Sequence, residues 1–250
     1  MRKGLALGLA LLALAGCKPA APDPDAGRPA GARGFPRADR PISVSGATQF
    51  ASEVQRDQVG EARSVMALAG IAPGSTVADI GAGEGYYTVR LAERVGRKGR
   101  VLAEDIDPGA IERLARRVEK DRLDNVSVRT GAPEDPRLPE NSFDRIFMVH
   151  MYHEVAEPYA FLWNLRPALK EGGSVIVVDV DRPTDRHGIP PDLLFCEFAA
   201  VGFRLAEFVR KPELTGYYAK FEAAGPLPAP AAVVPCRLGA GAAAQRVSGK

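Results

Sequence analysis

Short apolar runs alternate with longer amphipathic segments between about residues 50 and 222. The run Ser174–Val180 is dominated by valine and isoleucine, which is typical of a strand buried on both faces. Strands that alternate with helices in this way form a parallel sheet whose crossover helices cover both faces. The sequence therefore predicts a doubly wound α/β domain.

The overall composition is that of a soluble globular domain. The chain has 250 residues, 46% of them apolar, and 33 basic residues balance 31 acidic ones to give a formal net charge of +2. This length is typical of one domain with additional terminal segments. A near-neutral charge does not favour nucleic acid as a partner, and none is expected.

The N-terminus has the pattern of an export signal. Arg2 and Lys3 precede an apolar run, Gly4–Gly16, whose 13 residues reach about 20 Å as a helix and fall short of a membrane core of about 30 Å. A basic start followed by a short apolar stretch predicts a signal peptide over residues 1–16. A plain cleaved signal or a short hydrophobic N-terminus are the alternatives.

The residues that follow the apolar run refine this prediction. Leu14-Ala15-Gly16-Cys17 resembles a bacterial lipoprotein cleavage box. The resemblance implies that Cys17 is lipidated and anchors the chain to a membrane of the cell envelope. Lys18 stands where an aspartate would indicate inner-membrane retention, so we expect an outer-membrane lipoprotein that faces the periplasm.

Composition also divides the rest of the chain. Residues 17–46 are expected to be a lipidated cysteine and a disordered linker, 47–223 the folded domain, and 224–250 a disordered tail rich in Ala, Gly and Pro. A disulfide between Cys196 and Cys236 is not expected, because it would join a core helix to that tail. No Cys/His spacing typical of zinc is present, so no metal site is expected.

A glycine-rich turn follows the first predicted strand. Gly81, Gly83 and Gly85 are spaced one residue more tightly than the dinucleotide-binding pattern G-x-G-x-x-G, and Asp79 precedes them. Glycines let a ligand approach the backbone closely. A carboxylate before the turn suits a cationic amino group better than a pyrophosphate.

The segment Val77–Thr88 resembles motif I of the class I S-adenosylmethionine-dependent methyltransferases. Asp105, 20 residues after Gly85, and Leu169–Gly173 extend the resemblance, which covers roughly residues 50–222. It implies a Rossmann-like class I methyltransferase sheet with S-adenosylmethionine as cofactor. The implied cofactor-binding residues are Asp79, Gly81, Ala82, Gly83, Gly85, Tyr86, Asp105, Ile106, Glu134 and His150.

In this family, the residue at the position of Asp105 binds the ribose hydroxyls and the residue at the position of Ile106 contacts adenine. Glu104 is the alternative candidate for the ribose contact.

One loop departs from the family pattern. Gly131-Ala132-Pro133-Glu134-Asp135 stands where the family often has Gly-Asp-Ala, and Pro133 has no N–H to donate. Glu134 or Asp135 would have to replace the missing adenine contact from a shifted position.

The loop after the fourth predicted strand carries the candidate catalytic residues. It reads His150-Met151-Tyr152-His153-Glu154 and resembles a histidine-bearing loop of predicted bacterial methyltransferases. His153 is predicted to act as a base or to orient the acceptor, with Tyr152 and Glu154 beside it. A histidine that caps the next helix is the alternative. His187 is a weaker candidate, more typical of a solvated loop histidine.

The leading functional hypothesis is a membrane-tethered S-adenosylmethionine-dependent methyltransferase that acts on a small-molecule acceptor. The alternative is a non-catalytic lipoprotein that binds the cofactor or a nucleoside and retains the fold. A nicotinamide-dependent oxidoreductase is disfavoured by the glycine spacing. The sequence makes no prediction of oligomeric state.

Overall fold

The structure, a computed structural model, describes residue 23 and residues 25–43, 52–211 and 216–237. Within them, seven strands form one sheet: β1 Thr76–Ile80, β2 Arg100–Asp105, β3 Val126–Thr130, β4 Phe143–Val149, β5 Leu169–Asp179, β6 Phe203–Lys211 and β7 Gly216–Ala223. The α-helices of these residues are α1 Glu53–Gln58, α2 Glu61–Leu68, α3 Tyr86–Val95, α4 Pro108–Lys120, α5 Pro158–Leu165 and α6 Pro191–Ala200.

The sheet has the order β3-β2-β1-β4-β5-β7-β6. The first five strands pair in parallel, and β7 lies antiparallel between β5 and β6. The order reverses between β1 and β4, where the connections leave toward opposite sides. The predicted doubly wound sheet is confirmed, and ligands bind such sheets at the carboxyl ends of the strands near the reversal.

Two apolar cores cover the two faces of the sheet. Alternate residues of one strand belong to different cores, as the pleat requires: Ile146 and Met148 of β4 lie in one, and Phe147 lies in the other. The first core receives α5 and α6, and the second receives α2 and α3. Burial on both faces explains the continuously apolar runs 146–149 of β4 and 175–178 of β5.

The sequence of residues 50–70 predicts one amphipathic helix with Val54, Val59 and Val65 on its inner side, but the structure contains two helices. Gly60, with φ +69°, adopts a left-handed conformation and separates α1 from α2. Val54 and Val59 are 63% and 44% exposed, so their predicted inward orientation is wrong. Val65 of α2 is fully buried, as predicted.

The sequence predicts one helix that begins at Pro158, is kinked at Pro167 and is terminated by Gly172-Gly173, but α5 ends earlier. It stops at Leu165, and a 3-10 turn, Arg166–Ala168, contains Pro167, which cannot donate the next helical hydrogen bond. The expected kinked helix is therefore a helix followed by a turn. Gly172 and Gly173 lie inside β5 instead of ending a helix.

The N-terminal segment from residue 25 to residue 43 packs on the domain, which differs from the predicted disordered linker. Arg28 forms a two-pronged pair with Glu157, and Arg40 pairs with Glu197 at 2.7 Å, where both side chains are buried. Paired guanidinium and carboxylate groups satisfy each other away from water. The Ala- and Pro-rich composition of the segment predicts disorder and gives no indication of these two ion pairs.

The C-terminal segment also packs on the domain as far as Arg237, contrary to the predicted tail. Cys196 of α6 and Cys236 form a disulfide, so the expectation that they would not pair is wrong. Trp163 donates to the carbonyl of Pro228, and Val233 is buried in the first core. The remaining residues of the tail, 238–250, lie outside the described residues, as do Cys17 and the predicted signal peptide.

Among the residues that the structure describes, no helix combines the length and the apolar content needed to cross a membrane.

Candidate cofactor and acceptor site

The glycine turn joins the carboxyl end of β1 to α3. Gly81 has φ +65°, and a Cβ built there would lie 2.9 Å from Cγ of Met151. Gly85, with φ +88°, would place a Cβ 2.4 Å from Cδ1 of Leu114. Side chains at these positions would require both a strained backbone and displaced neighbours. The turn is therefore compact, with Met151 of the loop after β4 lying against it.

Asp105 closes the neighbouring end of β2. Its Oδ2 accepts the backbone N–H of Gly83 at 2.9 Å, and its Oδ1 accepts that of Asp107 at 2.9 Å. Ile106 beside it is 49% exposed. The structure thus brings together the glycine turn, the carboxylate predicted for the ribose and the apolar side chain predicted for adenine.

Two further acids lie buried at the same strand ends. Asp79 accepts the hydroxyl of Thr88 at 2.6 Å, yet burial raises its pKa to about 6. Burial, followed by the charge of Asp105, raises the pKa of Glu104 to about 8. Because the charges of these acids repel one another, their environment favours a ligand with positive charge.

These residues fit S-adenosylmethionine. The cofactor carries a sulfonium and an ammonium group, which would offset the charge of Asp105 and favour ionisation of Asp79 and Glu104. A Cβ at Gly83 would meet nothing within 4 Å, so the turn is open there to a ligand. A dinucleotide would instead bring an anionic pyrophosphate beside three carboxyl groups.

The loop expected to contact adenine is a tight turn. The backbone N–H groups of Ala132 and Asp135 each donate to the other's carbonyl, at 2.8 and 3.1 Å. The backbone carbonyl of Glu134 accepts a hydrogen bond from the side-chain amide of Asn164. The side chain of Glu134 lies beside Gly31 of the N-terminal segment. An adenine contact from Glu134 stays a prediction.

Tyr86 and His150, both predicted for the cofactor, contact protein groups. The guanidinium carbons of Arg56 and Arg90 each lie 3.8 Å from the centroid of the Tyr86 ring, whose hydroxyl donates to Asp57. This ring packs against the first helices instead of standing free beside the turn. Its cofactor contact stays a prediction.

His150 directly follows β4 and has φ +55°. Its Nε2 lies 3.6 Å from a carboxylate oxygen of Glu61. Burial opposes ionisation of Glu61, but His150 and Arg56 outweigh it and lower the pKa of this carboxyl to about 2. Tyr87 donates to the same carboxylate at 2.9 Å. His150 therefore belongs to a polar cluster centred on the buried carboxylate of Glu61.

The loop after β4 holds His153 against the end of β5. The side chain is 2% exposed, and Nδ1 lies 3.0 Å from both carboxylate oxygens of Asp179. If neutral His153 donates its Nδ1–H to Asp179, Nε2 keeps a lone pair. Asp179 was not among the predicted site residues, although an acidic residue at the end of a buried strand is a signal that the sequence contains.

Tyr152 lies in a different environment from His153. It is fully buried, and its hydroxyl donates to Glu197 at 2.8 Å beside Arg40. Because the protein already holds this hydroxyl, the structure favours a structural role for Tyr152, and its catalytic role stays a prediction.

Glu154 and His187 lie beside His153. Oε1 of Glu154 is 4.0 Å from Nε2 of His153, and the rings of His153 and His187 are 5.7 Å apart and nearly perpendicular. Nδ1 of His187 is buried, which differs from the solvated side chain expected from the sequence. The three side chains lie on the loops that follow β4 and β5. Because these neighbouring strands are parallel, both loops lie at the carboxyl end of the sheet.

Comparisons with known proteins agree with this geometry. A family model described as a methyltransferase domain matches residues 77–173. A ubiquinone/menaquinone biosynthesis C-methyltransferase of Hydrogenovibrio crunogenus is 31% identical over 128 residues, which cover 49% of this chain and 48% of that protein. An arsenite methyltransferase of Halobacterium salinarum is 27% identical over 63% of this chain and 44% of its own length. The chain thus spans about half the length of the curated relatives it matches.

The fold is also found among solved structures. A SAM-dependent methyltransferase from Aquifex aeolicus superposes with a TM-score of 0.59 at 24% identity, over 70% of this chain and 98% of that one. This likeness shows the fold, and the matched sequence segment contains the glycine turn, Asp105 and the loop after β4. The domain is thus similar in sequence and fold to class I methyltransferases, and this similarity implies S-adenosylmethionine as its cofactor.

Proposed function

We propose that the protein transfers a methyl group from S-adenosylmethionine to a small-molecule acceptor. The observation that carries this proposal is the acidic end of the crevice, where Asp79, Glu104 and Asp105 surround an open glycine turn. When bound, S-adenosylmethionine supplies an electrophilic methyl group on a positively charged sulfur. The contribution of the chain is to orient that ligand and the acceptor and to exclude water.

In this proposal the acceptor lies beside the loop after β4. Met151 of this loop lies against Gly81, and His153 follows two residues later. Asp179 fixes the ring of His153 and, as the Nδ1 acceptor, leaves a lone pair on Nε2. His153 then acts on the acceptor either as a base or as an orienting group.

Replacement of His153 tests this assignment. We expect His153→Ala to lower turnover about 100-fold or more, in the range typical of lost acid–base catalysis, with little change in cofactor affinity. The measurement is release of S-adenosylhomocysteine with a panel of acceptors. Because one relative is named for ubiquinone/menaquinone biosynthesis and another for arsenite, the panel begins with quinone-pathway compounds and arsenite.

Tyr152→Phe is the matched control from the same loop. Its hydroxyl contacts Glu197, so the variant should lose stability and retain turnover per folded molecule. Normal turnover in His153→Ala would contradict the assignment of His153.

Binding without transfer is the second candidate function. Ala132 and Pro133 favour it, because they replace residues that usually hold adenine in this family. Under this alternative, cofactor binds stoichiometrically but no acceptor in the panel is methylated.

We further propose that the protein is an exported lipoprotein attached through Cys17. The Cys196–Cys236 disulfide supports export, because disulfides persist in oxidising compartments and are rare in the cytosol. S-adenosylmethionine is made in the cytoplasm, so this location requires a supply of cofactor to the cell envelope. Membrane fractionation of cells that produce Cys17→Ser tests the anchor: the variant should leave the membrane fraction, and an unchanged distribution contradicts lipidation.

A further inference from the structure

We propose that His153, Glu154 and His187 bind a divalent transition-metal ion, with Zn²⁺ as the best match. One ring nitrogen of each histidine and one carboxylate oxygen of Glu154 all lie within 4.8 Å of one another. Imidazole nitrogens and a carboxylate oxygen are typical zinc ligands. The site is distinct from the glycine turn and requires no bound cofactor.

Two buried nitrogens at this place have no partner in the part of the chain that the structure describes. Nε2 of His153 and Nδ1 of His187 are both shielded from solvent, and neither has a hydrogen-bond partner among the described residues. Buried polar atoms are nearly always paired, and exceptions mark a functional atom or a missing ligand. One metal ion bound by both nitrogens would provide the partner that each of them lacks.

Asp179 prepares His153 for this role. It is fully buried and contacts Nδ1 with both oxygens, and one of these oxygens also accepts the backbone N–H of Val180 at 2.7 Å. Histidine ligands almost always donate their second nitrogen to a carboxylate or carbonyl, which fixes the ring and directs the other nitrogen at the ion. His153 and Asp179 have this arrangement.

His187 is held in place by the N-terminal segment. Its backbone N–H donates to Oγ of Ser43 at 2.8 Å, and that hydroxyl donates to the carbonyl of Thr184 at 2.6 Å. His187 has φ +54°, a conformation that a non-glycine residue keeps only when its surroundings impose it. The loop after β5 is therefore fixed so that the ring of His187 stays beside that of His153.

The donor set indicates the kind of site. Donors around a tetrahedral zinc ion lie roughly 3.3 Å apart, given Zn–N distances near 2.0–2.1 Å. The present separations, which reach up to 4.8 Å, must therefore shorten by up to about 1.5 Å. The Glu154 side chain is 20% exposed and can make most of this movement. Three protein ligands leave a fourth position open, which is the pattern of catalytic rather than structural zinc sites.

Metal binding would also decide between the two roles proposed for His153. Coordination uses the lone pair on Nε2, so the histidine would orient an acceptor oxygen through the ion and would not act as a free base. This last consequence rests on the proposed function, but the metal site itself does not.

Metal titration of the purified full-length protein tests the site. After dialysis against a chelator, we expect calorimetry with Zn²⁺ alone to show one ion per chain at micromolar Kd or tighter, and Co²⁺ to give the visible absorption of a tetrahedral site. His187→Gln should weaken Zn²⁺ binding at least 10-fold, and Asp179→Asn by roughly 10- to 100-fold. Titration with Fe²⁺ under anaerobic conditions distinguishes an iron site with the same donors.

His150→Gln is the matched control, because His150 is the remaining histidine of the chain and lies outside the cluster. It should leave Zn²⁺ affinity unchanged. The inference is overturned if the wild-type protein takes up no stoichiometric ion, or if His187→Gln and Glu154→Gln, shown by circular dichroism to be folded, bind Zn²⁺ as tightly as wild type. Because cofactor and acceptor are absent from the titration, its outcome is independent of methyl transfer.

Discussion

Glu104 and Asp105 are consecutive residues of β2 with different environments. Successive strand residues point to opposite faces of the sheet. Asp105 is therefore free to accept two backbone N–H groups at the glycine turn, whereas Glu104 is 1% exposed and its Oε1 has no hydrogen-bond partner among the described residues. This difference favours Asp105 over Glu104 as the carboxylate that faces the ribose.

The environment of Glu104 predicts a pH dependence of stability. Its pKa is raised from 4.5 to about 8, so the folded protein holds a proton that the unfolded chain releases. The free energy of unfolding should fall as the pH rises from about 4.5 to about 8, at up to about 1.4 kcal/mol per pH unit from this group. Glu104→Gln should be more stable than wild type at pH 8 and should lose most of this slope.

Denaturant unfolding at pH 5 and pH 8 measures the effect. Glu112→Gln serves as the control, because the Glu112 side chain is 73% exposed on α4 and should leave the slope unchanged. A wild-type slope that persists in Glu104→Gln would assign the pH dependence to other groups, such as Asp79, whose pKa is also raised.

At the scale of elements, the two end segments hold the acceptor side of the domain together. The N-terminal segment reaches α6 through Arg40 and Glu197, and the C-terminal segment reaches the same helix through the disulfide. An isolated β-bridge, which pairs the backbones of Asp39 and Arg237, joins the two segments directly. The two end segments, whose sequences show no helix or strand pattern, thus stabilise the part of the domain that carries the loop after β4.

The disulfide should contribute strongly to stability. It closes a loop of 40 residues, for which chain entropy gives about 2–4 kcal/mol. Cys236→Ser, or wild type with reductant, should therefore unfold at lower denaturant concentration. The variant is its own control, since reductant should not shift its midpoint further. If wild type has the same midpoint with and without reductant, the disulfide does not support the fold.

Across the whole molecule, the sheet was predictable because each strand carries a local signal. The β-type runs that the sequence shows at 76–80 and 143–149 coincide with the bounds of β1 and β4. The glycine turn and Asp105 were predictable for a similar reason, because their spacing is fixed by one strand–helix–strand unit. What escaped prediction depends on contacts between distant residues.

The acceptor side of the site shows this limit most clearly. Asp179 and His187 lie 26 and 34 residues beyond His153, and the pairing of β4 with β5 brings them together. The buried partners of Arg28 and Arg40 lie still farther along the chain, at separations of 129 and 157 residues. No local pattern encodes such pairs, so only the tertiary structure reveals them.

The most direct test of the cofactor crevice is calorimetric titration of S-adenosylmethionine into the wild-type protein and Asp105→Ala. Wild type should bind one molecule per chain, and the variant should bind about 10-fold or more weakly, since hydrogen bonds to a charged group contribute about 1.5–3 kcal/mol. Asp124→Ala, at an exposed site after α4, should match wild type. Equal affinity in Asp105→Ala, or no binding by the wild-type protein, would contradict the account.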